Sequence, residues 1–180
     1  NNLVEMDTVN NQLVPGLAES WEEVSPTEYV FHLRQGVKFH DGSDFTAADV
    51  EFTFNRAKEQ GASAGKVTTI DHVEVIDDFT IKFYLTGPDA DILYRLPDGR
   101  LSILSKTAFD TMAPEEANKI GTGPYMYVEV VIDDHVTLTR NDKNSIRASC
   151  FLYLRGIISS AKQSPDEAEK QIALNLIRIL

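Results

Sequence analysis

Residues 15–56 read PGLAESWEEVSPTEYVFHLRQGVKFHDGSDFTAADVEFTFNR, and no other stretch leaves the chain so few ways to fold. Tyr29, Phe31 and Leu33 alternate with Val30, His32 and Arg34, the period of a strand with one face on a core and the other partly wet. Trp21 to Val24 can pair with it, because Ser25-Pro26-Thr27-Glu28 carries turn chemistry: proline presets one backbone angle and serine can bond nearby main chain. A hairpin is expected. The chain then turns at Gly36, runs through Val37-Lys38-Phe39 and turns again at Asp41-Gly42, where glycine tolerates a positive backbone angle. Thr46 followed by Asp49 resembles a capping box, a hydroxyl and an acid that between them satisfy two orphan amide donors. Ala47, Val50, Phe54 and Ala57 follow at helical spacing as the buried stripe, and the helix is expected to run to about Gln60 and stop at Gly61.

Downstream elements are shorter. Ile70 to Ile76 and Thr80 to Leu85 flank Asp77-Asp78 and predict a second hairpin, with Val73, Val75, Ile81, Phe83 and Leu85 as its apolar positions. Gly87-Pro88 closes it. A short helix is expected from Asp89 to Leu96, a turn at Pro97-Asp98-Gly99, and two helices over Ser105 to Met112 and Pro114 to Ile120. The second starts on proline with acids in its first turn. Tyr125 to Val131 and His135 to Arg140 predict a last hairpin.

These segments carry a resemblance. Pro15-Gly16-Leu17-Ala18-Glu19-Ser20-Trp21, Phe31-His32-Leu33-Arg34, Gly36 to Gly42 and Phe45 to Val50 resemble the signature region of the bacterial family 5 extracellular solute-binding proteins. Gly121-Thr122-Gly123-Pro124-Tyr125, with the strand pair ending in Arg140-Asn141-Asp142, is similar to a second element of that family, in the expected order. The resemblance covers residues 1 to 142. It implies an α/β, mixed α+β chain of the class II periplasmic-binding-protein type, here the small α/β subdomain of lobe one, built of several β-hairpins with flanking helices.

Beyond Asp142 the pattern breaks, which divides the chain into 1–142, a partial solute-binding lobe, and 143–180, a divergent tail. Phe151 to Ile158 is apolar, and Ser164-Pro165-Asp166-Glu167 starts a helix through Ile179 with Ile172 and Leu176 on one face. A divergent terminus, a frame-shifted or recombined end and an engineered addition all remain open for the tail. Its apolar helix needs a surface to pack on, so self-association is possible.

Composition excludes several classes. Twenty-eight acidic against 17 basic residues give a net charge of -11, the wrong sign for nucleic acid, which needs clustered Lys and Arg. No apolar run approaches the ~20 residues of a membrane-spanning helix. Cys150 is the single cysteine, so no internal disulfide and no Cys-rich metal site can form. Asn1 is not preceded by a charged and apolar leader, so any export signal or lipid-anchor cysteine lies outside these residues.

No residue reads as catalytic or as a metal ligand, and no cofactor is called for. His32 alternates on a strand face, His40-Asp41 sits in a turn, and no further ligand recurs at zinc-like spacing. Ser20, Ser102 and Ser105 lack the strained G-x-S-x-G turn of a nucleophile. Gly121-Thr122-Gly123 lacks the Gly-Lys-Ser/Thr ending of a phosphate loop and leads into a strand, so it reads as a tight turn.

The resemblance implies that the connection from Tyr94 to Ser105 faces a ligand cleft. Tyr94, Arg95, Arg100 and Ser102 there offer an aromatic ring, carboxylate-matching forks and a hydroxyl, and Tyr125 is a further candidate. An ordinary surface loop with solvated arginines is the competing reading. The resemblance further implies a periplasmic or extracellular, non-enzymatic receptor, membrane-associated through a lipid anchor in a Gram-positive parent. Such a receptor closes on a peptide or similar small polar solute by hinge motion and presents it to an ABC permease. With one lobe only partly represented, weak or no ligand binding is expected. The alternative is a structural or interaction domain that kept the scaffold and lost ligand capture.

Overall fold

A computed structural model describes residues 1–59, 61–131 and 135–141. Three antiparallel sheets form among these residues. The first is the hairpin of β1 (Val4–Asp7) and β2 (Gln12–Pro15). Its turn is held by Asp7, whose carboxylate accepts the Val9 and Asn10 amides, while Asn11 takes the left-handed conformation that Asn tolerates.

The second sheet carries the core. Its order is β3-β4-β6-β5, from β3 (Ala18–Ser25), β4 (Glu28–Leu33), β5 (Ile70–Asp77) and β6 (Thr80–Leu85). Both predicted hairpins are therefore present, and β4 and β6 pair centrally, with Phe31 opposite Ile81 and Tyr29 opposite Phe83. The alternation expected in β4 holds: Tyr29, Phe31 and Leu33 are buried and His32 is exposed. In the β5–β6 hairpin, Val73, Ile81, Phe83 and Leu85 are buried. Val75 is not, at 37% exposure, because it lies on the edge strand beside a break in register between Val75 and Asp77, where cover from neighbours runs out.

Helix α1 (Ala47–Glu59) packs on β5 and β6, and its stripe Ala47, Val50, Phe54 and Ala57 is buried as the spacing predicts. The Phe83 ring sits 4.8 Å from Phe54 and 4.9 Å from Phe31, so helix and sheet meet through an aromatic cluster. Burying each such ring is worth about 1.5–3 kcal/mol. The Ala47 amide at the helix start donates to the Asp78 carbonyl in the β5–β6 turn. Gln60 lies outside the described residues, and Gly61 does not stop helical structure: it lies within α2 (Gly61–Ala64), which is closed by bonds from the Lys66 and Val67 amides to the Ser63 and Ala64 carbonyls.

The remaining helices are shorter than the sequence suggests: α3 (Ile92–Arg95), a 3₁₀ turn at Gly99–Leu101, α4 (Lys106–Thr111) and α5 (Pro114–Ala117). Beyond α5 the Lys119 and Ile120 amides bond three residues back, to Glu116 and Ala117, which is turn rather than α geometry. The third sheet is the hairpin of β7 (Tyr125–Val131) and β8 (His135–Arg140), with the expected bounds. The tail from 143, with its apolar run and helix, the self-association assigned to that helix, and the domain boundary at 142 lie outside the described residues.

Candidate functional site

The two signature segments, far apart in sequence, meet at one histidine. The Gly36–Phe45 loop is a small closed unit: Gly36 and Gly42 sit at φ 72° and 90°, where a side chain would be strained. The Phe39 amide bonds the Ser43 carbonyl, the Phe45 amide bonds the Val37 carbonyl, and Lys38 pairs with Asp44 across the loop. This holds out His40. Its backbone amide donates to the Gly121 carbonyl at 2.9 Å, the Gly121 amide donates to its Nδ1 at 3.2 Å, and its Nε2 lies 2.9 Å from the Gly123 carbonyl. Asn141, at the end of β8, donates from Nδ2 to the same Gly123 carbonyl and from its amide to the Pro124 carbonyl. The turn at 121–124 is thus clamped from both sides. Thr122 in its middle is buried, and among the described residues its hydroxyl has no hydrogen-bond partner, a position suited to an ordered water.

A second node joins α1 to α4. Asp49 is buried at the start of α1, with Oδ2 accepting the Thr46 amide and hydroxyl and Oδ1 accepting the Lys106 amide. Only the acid half of the expected capping box is therefore present, since the Thr46 hydroxyl donates to the carboxylate instead of capping an amide. Burial pushes the Asp49 carboxyl above its usual range, and these donors pull the other way. Ser105, set aside above as a nucleophile, caps α4 by accepting the Ala108 amide and touches the Ser43 hydroxyl at 3.3 Å. Thr53 accepts the Leu104 amide and donates to the Asp49 carbonyl.

Asn2 organises the connection that holds most of the candidate ligand contacts. Its Nδ2 donates to the Leu96 and Asp98 carbonyls, each at 3.0 Å, and its Oδ1 accepts the Ser102 hydroxyl at 2.8 Å. The Ile103 amide bonds the Asn1 carbonyl. Sequence pattern gives no signal for Asn2, because its partners lie some hundred residues away. Gly16, by contrast, is placed by contact: a Cβ there would lie 2.5 Å from the Asn2 carbonyl oxygen and 2.9 Å from that of Leu3.

The candidates are dispersed, and most are engaged. Tyr94 is 59% exposed. Arg95 pairs with Asp89 and donates to the Thr69 hydroxyl, which ties it towards the entry of β5. Arg100 forks onto Asp98, from Nε at 2.8 Å and Nη2 at 2.7 Å. These bonds, with the Arg100 amide and Lys66, hold the Asp98 carboxyl far below the usual carboxylate range. Ser102 is spent on Asn2. Tyr125 starts β7 opposite Arg140 and is partly buried. Ser102 and Tyr125 belong to segments that the Asn1-Asn2 stretch links, with Asn1 Oδ1 lying 3.5 Å from the position a Gly123 Cβ would take. Arg95 and Tyr94 belong elsewhere.

Among the described residues, no group of three or more His, Cys, Asp or Glu is placed to hold a metal, and no helix is long and apolar enough to cross a membrane. A shallow depression of about 390 Å³ lies between Lys58, Val67, Ile70, Asp71 and Thr86, away from these nodes.

Comparison with known proteins bears on the same segments. The family described as bacterial extracellular solute-binding proteins, family 5 matches residues 12–146. The dipeptide-binding protein of Escherichia coli K12 is 36% identical over 163 residues, covering 76% of this chain and 30% of that protein. Heme-binding protein A of Haemophilus influenzae is 33% identical with the same coverage. Among solved structures, the periplasmic binding protein DppA of Helicobacter pylori, in complex with the peptide STSA, superposes with a TM-score of 0.69 at 31% identity, covering 81% of this chain and 34% of that one. NikZ of Campylobacter jejuni, in complex with Ni(L-His), gives 0.70 at 26% identity, covering 81% and 30%. The chain spans about a third of the length of these relatives, which are named as binding proteins and not as enzymes.

Proposed function

Because the chain belongs to the bacterial extracellular solute-binding proteins of family 5, we propose that it is part of the substrate-binding component of an ABC importer for peptides or similar small polar solutes. On this reading it works at the cell exterior or in the periplasm, held to the membrane in a Gram-positive parent by a lipid anchor, and the assembled receptor hands its cargo to a permease. Support comes from the family match and from relatives whose names include dipeptide-binding and peptide-binding proteins. Peptide is the favoured cargo class for that reason, although the same scaffold also serves proteins named for heme and nickel, since fold does not fix the site.

By itself the 180-residue chain binds such cargo weakly or not at all. The observation that carries this is that Arg95, Arg100 and Ser102 in the Tyr94–Ser105 connection are each bonded within the chain, although Arg95 Nε has no partner among the described residues. A peptide carboxylate would have to share Arg100 with Asp98 or Arg95 with Asp89, and a ligand acceptor at Ser102 would have to replace Asn2. Tyr94 alone of the candidates in this connection is freely presented. With about a third of a relative's length to wrap it, a ligand would also bury too little of its surface for tight capture. Isothermal titration of the chain with a pool of di- to pentapeptides should give no binding in the submicromolar range. Submicromolar binding that Arg100→Ala or Ser102→Ala weakens would sink the proposal and establish the connection as a working site.

A further inference from the structure

We propose that His40 is an acid-sensitive latch that holds the Gly121–Tyr125 turn, and with it the root of the β7–β8 hairpin, against the Gly36–Phe45 loop. The argument is one of donors and acceptors. The Gly121 amide can only donate, so the His40 Nδ1 that meets it at 3.2 Å must present a lone pair. The hydrogen of the neutral ring then sits on Nε2, where it donates to the Gly123 carbonyl at 2.9 Å. Both ring nitrogens are therefore committed, and only one tautomer of the neutral imidazole fits. An imidazolium carries hydrogens on both nitrogens, so a proton on Nδ1 would face the Gly121 N–H donor head on, and the ring would have to leave that contact.

Few other groups could mask the effect. Within its own loop, Lys38 is paired with Asp44, and Asp41 has one carboxylate oxygen occupied by the Ser43 amide and hydroxyl. On α1 the ionisable neighbour of Asp41 is Asp49, bonded to Thr46 and Lys106. Before the clamped turn, Lys119 is paired with Glu116; after it come Arg140 and the neutral Asn141. In the amino-terminal stretch the group is Glu5, whose carboxyl burial pushes upward. Neither the turn residues 121–124 nor the carbonyls that His40 meets titrate. Because burial also raises the carboxyls of Glu5 and Asp49, a variant that removes only the His40 ring separates its part, and the proposal does not depend on which cargo the family scaffold serves.

Two measurements on the full chain test this. Long-range proton–nitrogen NMR of the His40 ring at pH 8 should show hydrogen on Nε2 and a lone pair on Nδ1. Amide exchange, corrected for intrinsic rates, should then show Gly121 losing protection progressively as the solution is acidified from pH 8 to pH 5. Amides of the central strands, such as Phe31 and Phe83, should stay protected over the same range. In His40→Gln, whose amide can accept from Gly121 and donate to Gly123 without titrating, Gly121 protection should be flat with pH. Hydrogen on Nδ1 at pH 8 would overturn the latch, as would equal Gly121 protection at pH 8 and pH 5 in the wild-type chain, or the same acid loss in the glutamine variant. Should that variant not fold, the two wild-type measurements decide the matter alone.

Discussion

Replacing Asn2 tests whether one buried amide organises the connection from Leu96 to Ser102. Asn2 is 4% exposed and satisfies three groups: the Leu96 and Asp98 carbonyls through Nδ2 and the Ser102 hydroxyl through Oδ1. In Asn2→Ala the Leu96 carbonyl, whose bond is fully buried, loses its partner at about 1–3 kcal/mol, while the partly exposed Asp98 and Ser102 groups recover water and lose less. The expected destabilisation is about 2–3 kcal/mol. Asn2→Asp keeps the shape and inverts the chemistry, because a carboxylate oxygen would then face the two carbonyl oxygens that Nδ2 now meets at 3.0 Å. It should cost about 3–5 kcal/mol at pH 7, more than the alanine variant, through burial of an unpaired charge. The sign of its pH dependence is fixed: burial and facing carbonyls raise the folded-state pKa of the new acid, so stability lost at pH 7 returns as the solution is acidified towards the unfolded carboxylate range near ~4. Urea denaturation of the three proteins at pH 7 and pH 4.5 measures all of this. An alanine variant within about 0.5 kcal/mol of wild type, or an aspartate variant no worse than alanine at pH 7, would refute the role given to Asn2.

Gly16→Ala should destabilise by about 3 kcal/mol, since the added methyl meets main-chain oxygens at 2.5 and 2.9 Å that cannot rotate away; a thermal melt unchanged from wild type would contradict the packing of β1 on the start of β3. Arg100→Gln removes the main cause of the depressed Asp98 pKa, so its deficit relative to wild type should be full near pH 7 and shrink as pH falls below about 4, because a depressed carboxylate contributes only above its unfolded range. Denaturation midpoints from pH 7 down to pH 3 would show this, and a deficit independent of pH would count against it. Val75 and Ile81 face each other across β5 and β6, yet Val75→Thr should stay within about 0.5 kcal/mol while Ile81→Ala costs about 2–5 kcal/mol; equal losses would mean that the edge strand is better covered than its exposure indicates.

Most of the fold was legible because its signals are local. The alternation Tyr29-Phe31-Leu33, the helical spacing Ala47-Val50-Phe54-Ala57 and the turns at Gly36 and Gly42 each depend on neighbours within a few residues, and each appears as the pattern requires. Val75 departs from its pattern because strand order, which alternation does not encode, places β5 at an edge. Gly61 departs from its expected role because glycine, although it weakens a helix, can still lie within one. The candidate contacts were legible as residue types only. That Arg100 faces Asp98 two residues away was within reach of the sequence, whereas Arg95 with Asp89 and Thr69, or Ser102 with Asn2, required the fold.

That division explains why the signature residues name a family so well and a cargo so poorly. His40, Gly121 and Gly123 bond one another. Asp49 bonds Thr46 and Lys106, and Gly16 accepts Arg34 Nε at 2.6 Å through its carbonyl. Each of these groups spends hydrogen-bonding capacity within the same chain, where a change leaves a partly buried donor or acceptor unpaired. Groups so engaged constrain one another and leave little capacity for a ligand. Side chains outside that network keep their capacity for other contacts. In the Tyr94–Ser105 connection Tyr94, exposed at the end of α3 and outside every joint described above, keeps it whole, and the half-exposed Arg100 guanidinium keeps it in part.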